Sequence, residues 1–219
     1  MRDVVQYLAW AVGLWLNVLV IAALVRGQYR EYPFAFIYAV ALLLATATEI
    51  AAYTLPHSKI QSIYYWTDEV ILDILVFCVV IAFIDRAAQD APRRPVKRHW
   101  LIAGAAIISV ASYFAHSGQN FNRQMTLVSR DLNLCAVGLD VILWSVLIAA
   151  RRPNRRLLLL SGGLGVQLTG AIIGESLRNV SRRMSLAGGL LEVGTGLLGL
   201  YIWWRALRPS LAPQASLAA

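Results

Sequence analysis

Long apolar runs dominate this chain and leave little choice of fold. Seven of them follow one another, each close to the length at which a helix crosses the hydrocarbon core of a bilayer, about 20 residues. Backbone groups in lipid must form their hydrogen bonds within their own segment, so each run predicts a helix. The predicted spans are Val4–Val25, Pro33–Leu55, Thr67–Arg86, Trp100–His116, Val128–Ala150, Leu157–Leu177 and Leu186–Leu207.

The composition agrees with lipid as the solvent. The 219 residues are 58% hydrophobic and 15% charged, with a mean hydropathy of +0.60, which is more apolar surface than a soluble domain of this size buries. We therefore expect an all-α, polytopic membrane domain over residues 1–208, a seven-helix bundle, followed by a disordered Ala/Pro/Ser-rich tail over 209–219. Cys78 and Cys135 both fall inside apolar runs and form no disulfide or metal-binding pattern.

The basic residues lie mostly in the breaks between runs and predict the orientation. Thirteen of the 20 Lys and Arg residues fall on the side reached by the ends of the first, third, fifth and seventh runs. The positive-inside rule then places the N-terminus outside and the C-terminus in the cytoplasm. The net charge of +8 is explained by loops that face anionic lipid headgroups, so the bilayer is the expected partner and nucleic acid is not.

The acidic residues break this pattern because several lie within the apolar runs. An ionisable group is costly in hydrocarbon and is retained there mainly where it lines a cavity, a path or an ion pair. Residues three or four positions apart share one face of a helix, and this spacing puts the acids on polar stripes that face the bundle interior. We predict an outward-facing acidic cavity formed by Glu49, Glu69, Asp73, Asp140 and Glu192, with Arg130 and Arg178 as ion-pair partners.

Internal pairing is an open alternative for the same acids. Membrane bundles use buried polar groups to hold helices together, at about 0.6 kcal/mol per hydrogen bond on average. Asn17, Gln167 and Thr169 fit that structural role. Asp131 and Glu175 lie near the predicted outer boundary, where water or a neighbouring arginine accounts for them.

Glycine spacing in the last two runs predicts close helix packing. Gly170 and Gly174 form a GxxxG pair, and the seventh run repeats glycine at helical spacing. Small residues let helix backbones approach each other. We expect the sixth and seventh helices to pack tightly, and the same helices are candidates for contact with a membrane protein partner or a second copy.

The chain shows no cofactor or catalytic motif. A retinal Schiff base needs a lysine inside the bundle, whereas Lys59 and Lys97 lie in loops. His57 and His116 share the outer side and are the candidates for a metal site, but histidines at loop ends are usually solvated, which argues against haem and metal. No His-Glu-x-x-His, Gly-x-Ser-x-Gly or paired-Asp protease motif occurs, so we expect a protein without enzymatic activity.

Two local segments resemble a bacterial group. Residues 29–38, YREYPFAFIY, followed by residues 65–69, YWTDE, resemble segments of uncharacterised multi-helix bacterial membrane proteins, acidobacterial ones among them. The resemblance covers the first three spans. The resemblance implies that the protein lies in a bacterial inner membrane, and it implies no known activity.

Three functions fit this layout. The first is ligand binding without chemistry, as the membrane module of a sensor or an accessory subunit. The second is a small carrier for a cation or a proton-coupled polar solute, and matched positions such as Glu69 and Glu192 fit two three-helix repeats around a linking helix. The third is a structural subunit whose acids pair with arginines of a larger membrane complex.

Overall fold

The structure, a computed structural model, describes residues 2–54, 59–89, 98–118, 120–149, 154–180 and 182–208. Over these ranges the protein is all-α, as predicted, with seven helices and no strand. The predicted disordered tail from residue 209 lies outside the described residues. The helices are α1 (Arg2–Val25), α2 (Pro33–Thr54), α3 (Lys59–Gln89), α4 (Arg98–Ala115), α5 (Phe121–Ala149), α6 (Arg155–Val180) and α7 (Arg182–Leu207).

Five of the helices are long and apolar enough to cross a membrane. α3 and α4 do not meet that standard over the described residues. α3 carries Glu69 and Asp73 in one half and Asp85 and Arg86 at the other end, which shortens its uninterrupted apolar stretch, while α4 is short. The five candidate spans are Gln6–Val25, Pro33–Ala51, Gln124–Ile148, Arg155–Arg178 and Met184–Leu207.

The turn after α1 contains a glycine whose backbone conformation other residues rarely adopt. Gly27 has a φ of 138°. The next two amides, of Gln28 and Tyr29, donate hydrogen bonds to the carbonyl oxygen of Leu24, each at 2.8 Å. The Gln28 side chain donates a further hydrogen bond, at 3.2 Å, to the carbonyl oxygen of Leu207. The turn after α1 is thereby tied to the end of α7.

The starts of α2 and α6 follow ordinary helix signals. Pro33 opens α2, at a position where the N–H that proline lacks would have no partner within the helix. The side chain of Asn154 caps α6, because its Oδ1 accepts hydrogen bonds from the amides of Arg156 at 3.2 Å and Leu157 at 3.3 Å. Both signals are visible in the sequence.

Six of the helices form a ring. Around it α1 packs on α2, α2 on α3, α3 on α5, α5 on α6, α6 on α7 and α7 on α1, while α4 lies against α5 and α3. Contacts along the helices show that helices consecutive in the chain run antiparallel to each other. We call the side that holds the first residues of α1, α3, α5 and α7 the N-terminal side, and the other side the opposite side.

Four buried aromatic side chains pack together between the helices toward the opposite side, and we call them the aromatic layer: Tyr32, Tyr38, Phe83 and Trp203. The Trp203 ring lies 5.8 Å from that of Tyr38 and 6.4 Å from that of Phe83, and the Phe83 ring lies 6.1 Å from that of Tyr32. The indole N–H of Trp203 donates a 2.7 Å hydrogen bond to the carbonyl oxygen of Leu160. The layer therefore joins α2, α3, α6 and α7.

Glycines bring α6 and α7 into backbone contact. A Cβ atom at Gly174 would lie 2.7 Å from the carbonyl oxygen of Gly188, and one at Gly199 would lie 2.7 Å from that of Gly163. These distances are too short for any side chain, so this approach requires glycine. The tight packing predicted for the sixth and seventh helices is confirmed, and contact with a partner or second copy through them stays a prediction.

On the opposite side, Glu31 joins three parts of the chain. Its Oε1 pairs with Nη2 of Arg86 at 3.1 Å, and its Oε2 with Nη1 of Arg156 at 3.8 Å. Burial and the negative charge of Glu31 raise the pKa of Tyr32 to about 12, so the Tyr32 hydroxyl is neutral at physiological pH. Because Arg86 is near the end of α3, this pairing shows that the end of α3 lies on the same side of the bundle as the α1–α2 turn.

Candidate functional site

Two acids of α3 form the centre of the candidate site. Glu69 and Asp73 lie one helical turn apart, on the face that α3 turns toward α5. The Ser129 hydroxyl of α5 donates a 3.3 Å hydrogen bond to Glu69 Oε1 and lies within hydrogen-bond reach of Asp73. Asp73 is only 6% exposed, and its Oδ2 has no hydrogen-bond partner among the described residues. Buried polar atoms of this kind are rare in proteins and call for an explanation, such as a bound ligand.

Glu175 of α6 completes this group, and we call Glu69, Asp73 and Glu175 the acidic cluster. The Glu175 carboxyl interacts electrostatically with Glu69 and Asp73, and also with the guanidinium groups of Arg130 and Arg178. The sequence interpretation placed Glu175 at a solvated boundary and left it out of the cavity. Only the packing of α6 beside the acids of α3 shows that Glu175 belongs to the cluster, because the spacing of residues along α6 does not tell which helix they face.

A salt bridge between Arg178 and Glu192 lies at one edge of the acidic cluster. It joins the last turns of α6 to α7, and the two side chains are 43% and 41% exposed. Arg178 also interacts electrostatically with Glu69 and Glu175. The structure therefore places Glu192 beside the acidic cluster as the direct partner of an arginine.

Asp131 forms a second polar group, which fastens α4 to α5. Its Oδ2 accepts a 2.8 Å hydrogen bond from Ser112 and lies 3.1 Å from Nε2 of His116, while its Oδ1 lies 3.6 Å from Nη2 of Arg130. His116 is thus engaged in helix packing. No group of three metal-ligating side chains occurs in the ranges that the structure describes, and His57 lies outside them.

Glu49 lies at the margin of the acidic cluster. Its side chain is exposed on α2, accepts a hydrogen bond from the Trp10 side chain of α1 and interacts electrostatically with Glu69. Trp10 itself is buried. Glu49 therefore extends the negative charge of the site toward the surface at the N-terminal side.

Asp140 lies apart from the other predicted site residues. It is 5% exposed on α5, and its Oδ1 has no hydrogen-bond partner within the described part of the chain. No charged side chain of the described residues interacts with its carboxyl group, whereas Asp73 interacts with Glu69 and Glu175. Asp140 lines a groove between α5 and α6 that does not include the acidic cluster.

One hydrogen bond links polar side chains near the acidic cluster to the aromatic layer. Gln167 Nε2 donates to the hydroxyl of Tyr38 at 2.9 Å, and Tyr38 interacts electrostatically with Asp73 and Glu69. The bond joins α6 to α2, which is the structural role predicted for Gln167. Tyr38 also belongs to the aromatic layer.

This arrangement is suited to holding a positive charge. The acidic cluster supplies three carboxyl groups and lies beside a serine hydroxyl, while Arg178 and Arg130 are paired with Glu192 and Asp131 and also interact with Glu175. No family model, curated protein or solved structure matches the chain.

Proposed function

We propose that this protein is a seven-span bacterial inner-membrane protein whose acidic cluster binds a small organic cation from outside. In this role it is the ligand-binding module of a sensor or an accessory subunit, without enzymatic chemistry. The observation that carries the proposal is the buried Oδ2 of Asp73, which has no hydrogen-bond partner in the described ranges although Glu69 and Glu175 lie nearby.

The contacts of α3 and α4 support seven spans. Glu69 meets Ser129 toward the N-terminal side, and Arg86 meets Glu31 on the opposite side. About 26 Å of helix separates Glu69 from Arg86 at 1.5 Å per residue, close to the ~30 Å thickness of a hydrocarbon core. α4 then returns to the N-terminal side, where His116 meets Asp131 of α5. The distribution of basic residues supports an N-terminal side that faces outward.

A small ammonium or guanidinium group satisfies the chemistry of the acidic cluster. Its positive charge relieves the repulsion among the carboxyl groups of Glu69, Asp73 and Glu175. Its N–H groups donate to oxygens such as Asp73 Oδ2, and hydrogen bonds to charged groups contribute about 1.5–3 kcal/mol each. These gains offset the cost of taking the cation out of water.

The aromatic layer supports binding rather than passage. It lies directly beyond the acidic cluster, and its Tyr38 and Trp203 rings are 4% and 2% exposed. The second candidate, a small carrier, is favoured by the Gln167–Tyr38 hydrogen bond, because this bond brings polar groups up to the layer.

Thermal unfolding of the purified protein in mild detergent tests the proposal. The probes are methylammonium, guanidinium and tetramethylammonium chlorides, each compared with sodium chloride at equal ionic strength. We expect at least one organic cation to raise the melting temperature, since a ligand at 100 times its Kd stabilises by about 2.7 kcal/mol. The rise should disappear in Asp73→Asn and shrink in Glu69→Gln.

Asp85→Asn is the matched control, because Asp85 lies on the same helix at the opposite side. It should keep the full response. An equal response of Asp73→Asn and wild type, or no response above sodium chloride, would contradict the proposal. Uptake of the active cation into proteoliposomes, abolished by Asp73→Asn, would identify the carrier in place of the binding module.

A further inference from the structure

A groove lies along the side of the bundle between α5 and α6. Its volume is about 470 Å³, within the range of small-molecule sites. Val141 and Ile148, at its edge, are 60% and 68% exposed. Because both helices supply candidate membrane spans, the groove opens toward lipid. Its walls include Val137, Asp140 and Trp144 of α5 and Gly162, Gly165 and Thr169 of α6.

Asp140 is the charged residue in the wall of this groove. It is 5% exposed, and within the ranges that the structure describes its Oδ1 receives no hydrogen bond and no charged side chain interacts with it. The α6 backbone leaves space for the Asp140 carboxyl group because Gly165 has no side chain. A Cβ atom at Gly165 would lie only 2.5 Å from Asp140 Oδ2. The Ser145 hydroxyl, also in the wall, donates to the carbonyl oxygen of Val141 and is therefore used within α5.

The depth of Asp140 makes this lack of a partner costly. It lies about 24 Å along the helix from Gln124 and about 12 Å from Ile148, the ends of the α5 span, at 1.5 Å per residue. Ionisable groups at such depth are normally paired with another charge. A second copy of this chain cannot supply that charge there, because no Lys or Arg lies in the middle of any of its apolar runs.

We propose that this groove binds an apolar molecule that carries one protonated amine and enters from the lipid. The ammonium group donates hydrogen bonds to Asp140. The Trp144 ring lines the same groove, and aromatic rings attract a positive charge over their faces. The apolar body lies along Val137, Val141 and Ile148, where it replaces contact with lipid. The site is separate from the acidic cluster and differs from it in taking a ligand with a long apolar part.

Equilibrium binding of radiolabelled n-decylamine to the full-length protein in nanodiscs tests this site. Empty nanodiscs give the background from partitioning. We expect saturable binding of one molecule per chain, with little competition from n-decanol, which has the same apolar body and no charge. Asp140→Asn should weaken binding roughly tenfold to a hundredfold, because a charge-assisted hydrogen bond is lost.

A second variant keeps the test valid if Asp140→Asn folds poorly. Ser145→Trp fills the groove from its exposed edge and leaves Asp140 in place, so it should abolish saturable binding. Excess methylammonium, the probe of the acidic cluster, should leave decylamine binding unchanged, which separates this site from the acidic cluster. Asp85→Asn, outside both sites, should bind decylamine as the wild type does. Unchanged affinity in Asp140→Asn or Ser145→Trp, or equal competition by decanol, would overturn the proposal. So would a membrane protein that co-purifies in fixed ratio and crosslinks to the groove.

Discussion

Three aspartates of this protein differ in what surrounds their carboxyl groups. Asp131 has Ser112, His116 and Arg130 as partners. Asp73 has the Ser129 hydroxyl within reach and other acids nearby, and Asp140 has neither a charged neighbour nor a partner for Oδ1 in the described ranges. A carboxylate whose oxygens are paired holds helices together, whereas one with a free buried oxygen is available to a ligand.

Asp131→Ala is therefore expected to destabilise the protein. The substitution removes the hydrogen bond from Ser112 and the pairing with His116, so α4 loses two polar contacts with α5 and keeps the hydrogen bond from Gln124 to the Tyr113 carbonyl oxygen. We expect a loss of about 1–3 kcal/mol in the free energy of unfolding. Unfolding by titration with SDS in dodecylmaltoside measures it. Asp85→Ala, at the end of α3, is the control and should change stability much less; equal losses in the two variants would contradict the assigned role.

At the scale of elements, glycines bring α6 and α7 into backbone contact. Neighbouring glycines of α7 differ sharply, because Gly188 lies against the Gly174 backbone while a Cβ atom at Gly189 would meet nothing within 4 Å. The pair therefore depends on glycine at particular positions, and not on a glycine-rich composition in general.

Substitution of these two neighbours by alanine tests this dependence. In Gly188→Ala the new methyl group collides with the α6 backbone, which has no side-chain freedom to move away. We expect a loss of about 1–3 kcal/mol in unfolding free energy, measured by the same SDS titration. Gly189→Ala should be neutral or slightly stabilising, because alanine favours helix. Similar effects of the two substitutions would show that α6 and α7 are not packed at Gly188.

The sequence predicts these helices better than it predicts their lengths. The end of α1 at Val25 and the start of α2 at Pro33 match the predicted spans, since Gly27 and Pro33 are local signals. α3 begins at Lys59 and α5 at Phe121, each several residues before the predicted span. Counting apolar residues finds the part of a helix that suits lipid, whereas the helix itself continues through polar residues beyond it.

At the scale of the whole molecule, the acidic cluster is a product of helix order around the ring. α3 packs on α5 and reaches α6, with α4 outside the ring, and this order brings Glu69 and Asp73 to Ser129 and Glu175. Helical phase predicts that the acids of α3 face inward, but it contains no information about which helices they face. Ser129 and Glu175 were therefore missed, and the separation of Asp140 could not be foreseen.

Seven spans predict where the segment between α3 and α4 lies. If both helices cross the membrane, a cysteine in place of Arg94 faces the cytoplasm; if neither crosses, it faces outward. The experiment uses a Cys78→Ser/Cys135→Ser background and a membrane-impermeant maleimide on intact spheroplasts. We expect labelling of Gly118→Cys but not of Arg94→Cys until the cells are opened. Labelling of Arg94→Cys in closed cells would reduce the number of spans to five.

The aromatic layer has a consequence for the cell as well as for the ligand. An acidic cavity can be harmful in a membrane that carries a proton gradient, because a continuous chain of water through the cavity would conduct protons down that gradient. Phe83 and Trp203 are each 2% exposed, and their rings pack with those of Tyr32 and Tyr38 between α2, α3, α6 and α7. In the proposed function, these packed rings would let the protein keep buried carboxyl groups without dissipating the proton-motive force.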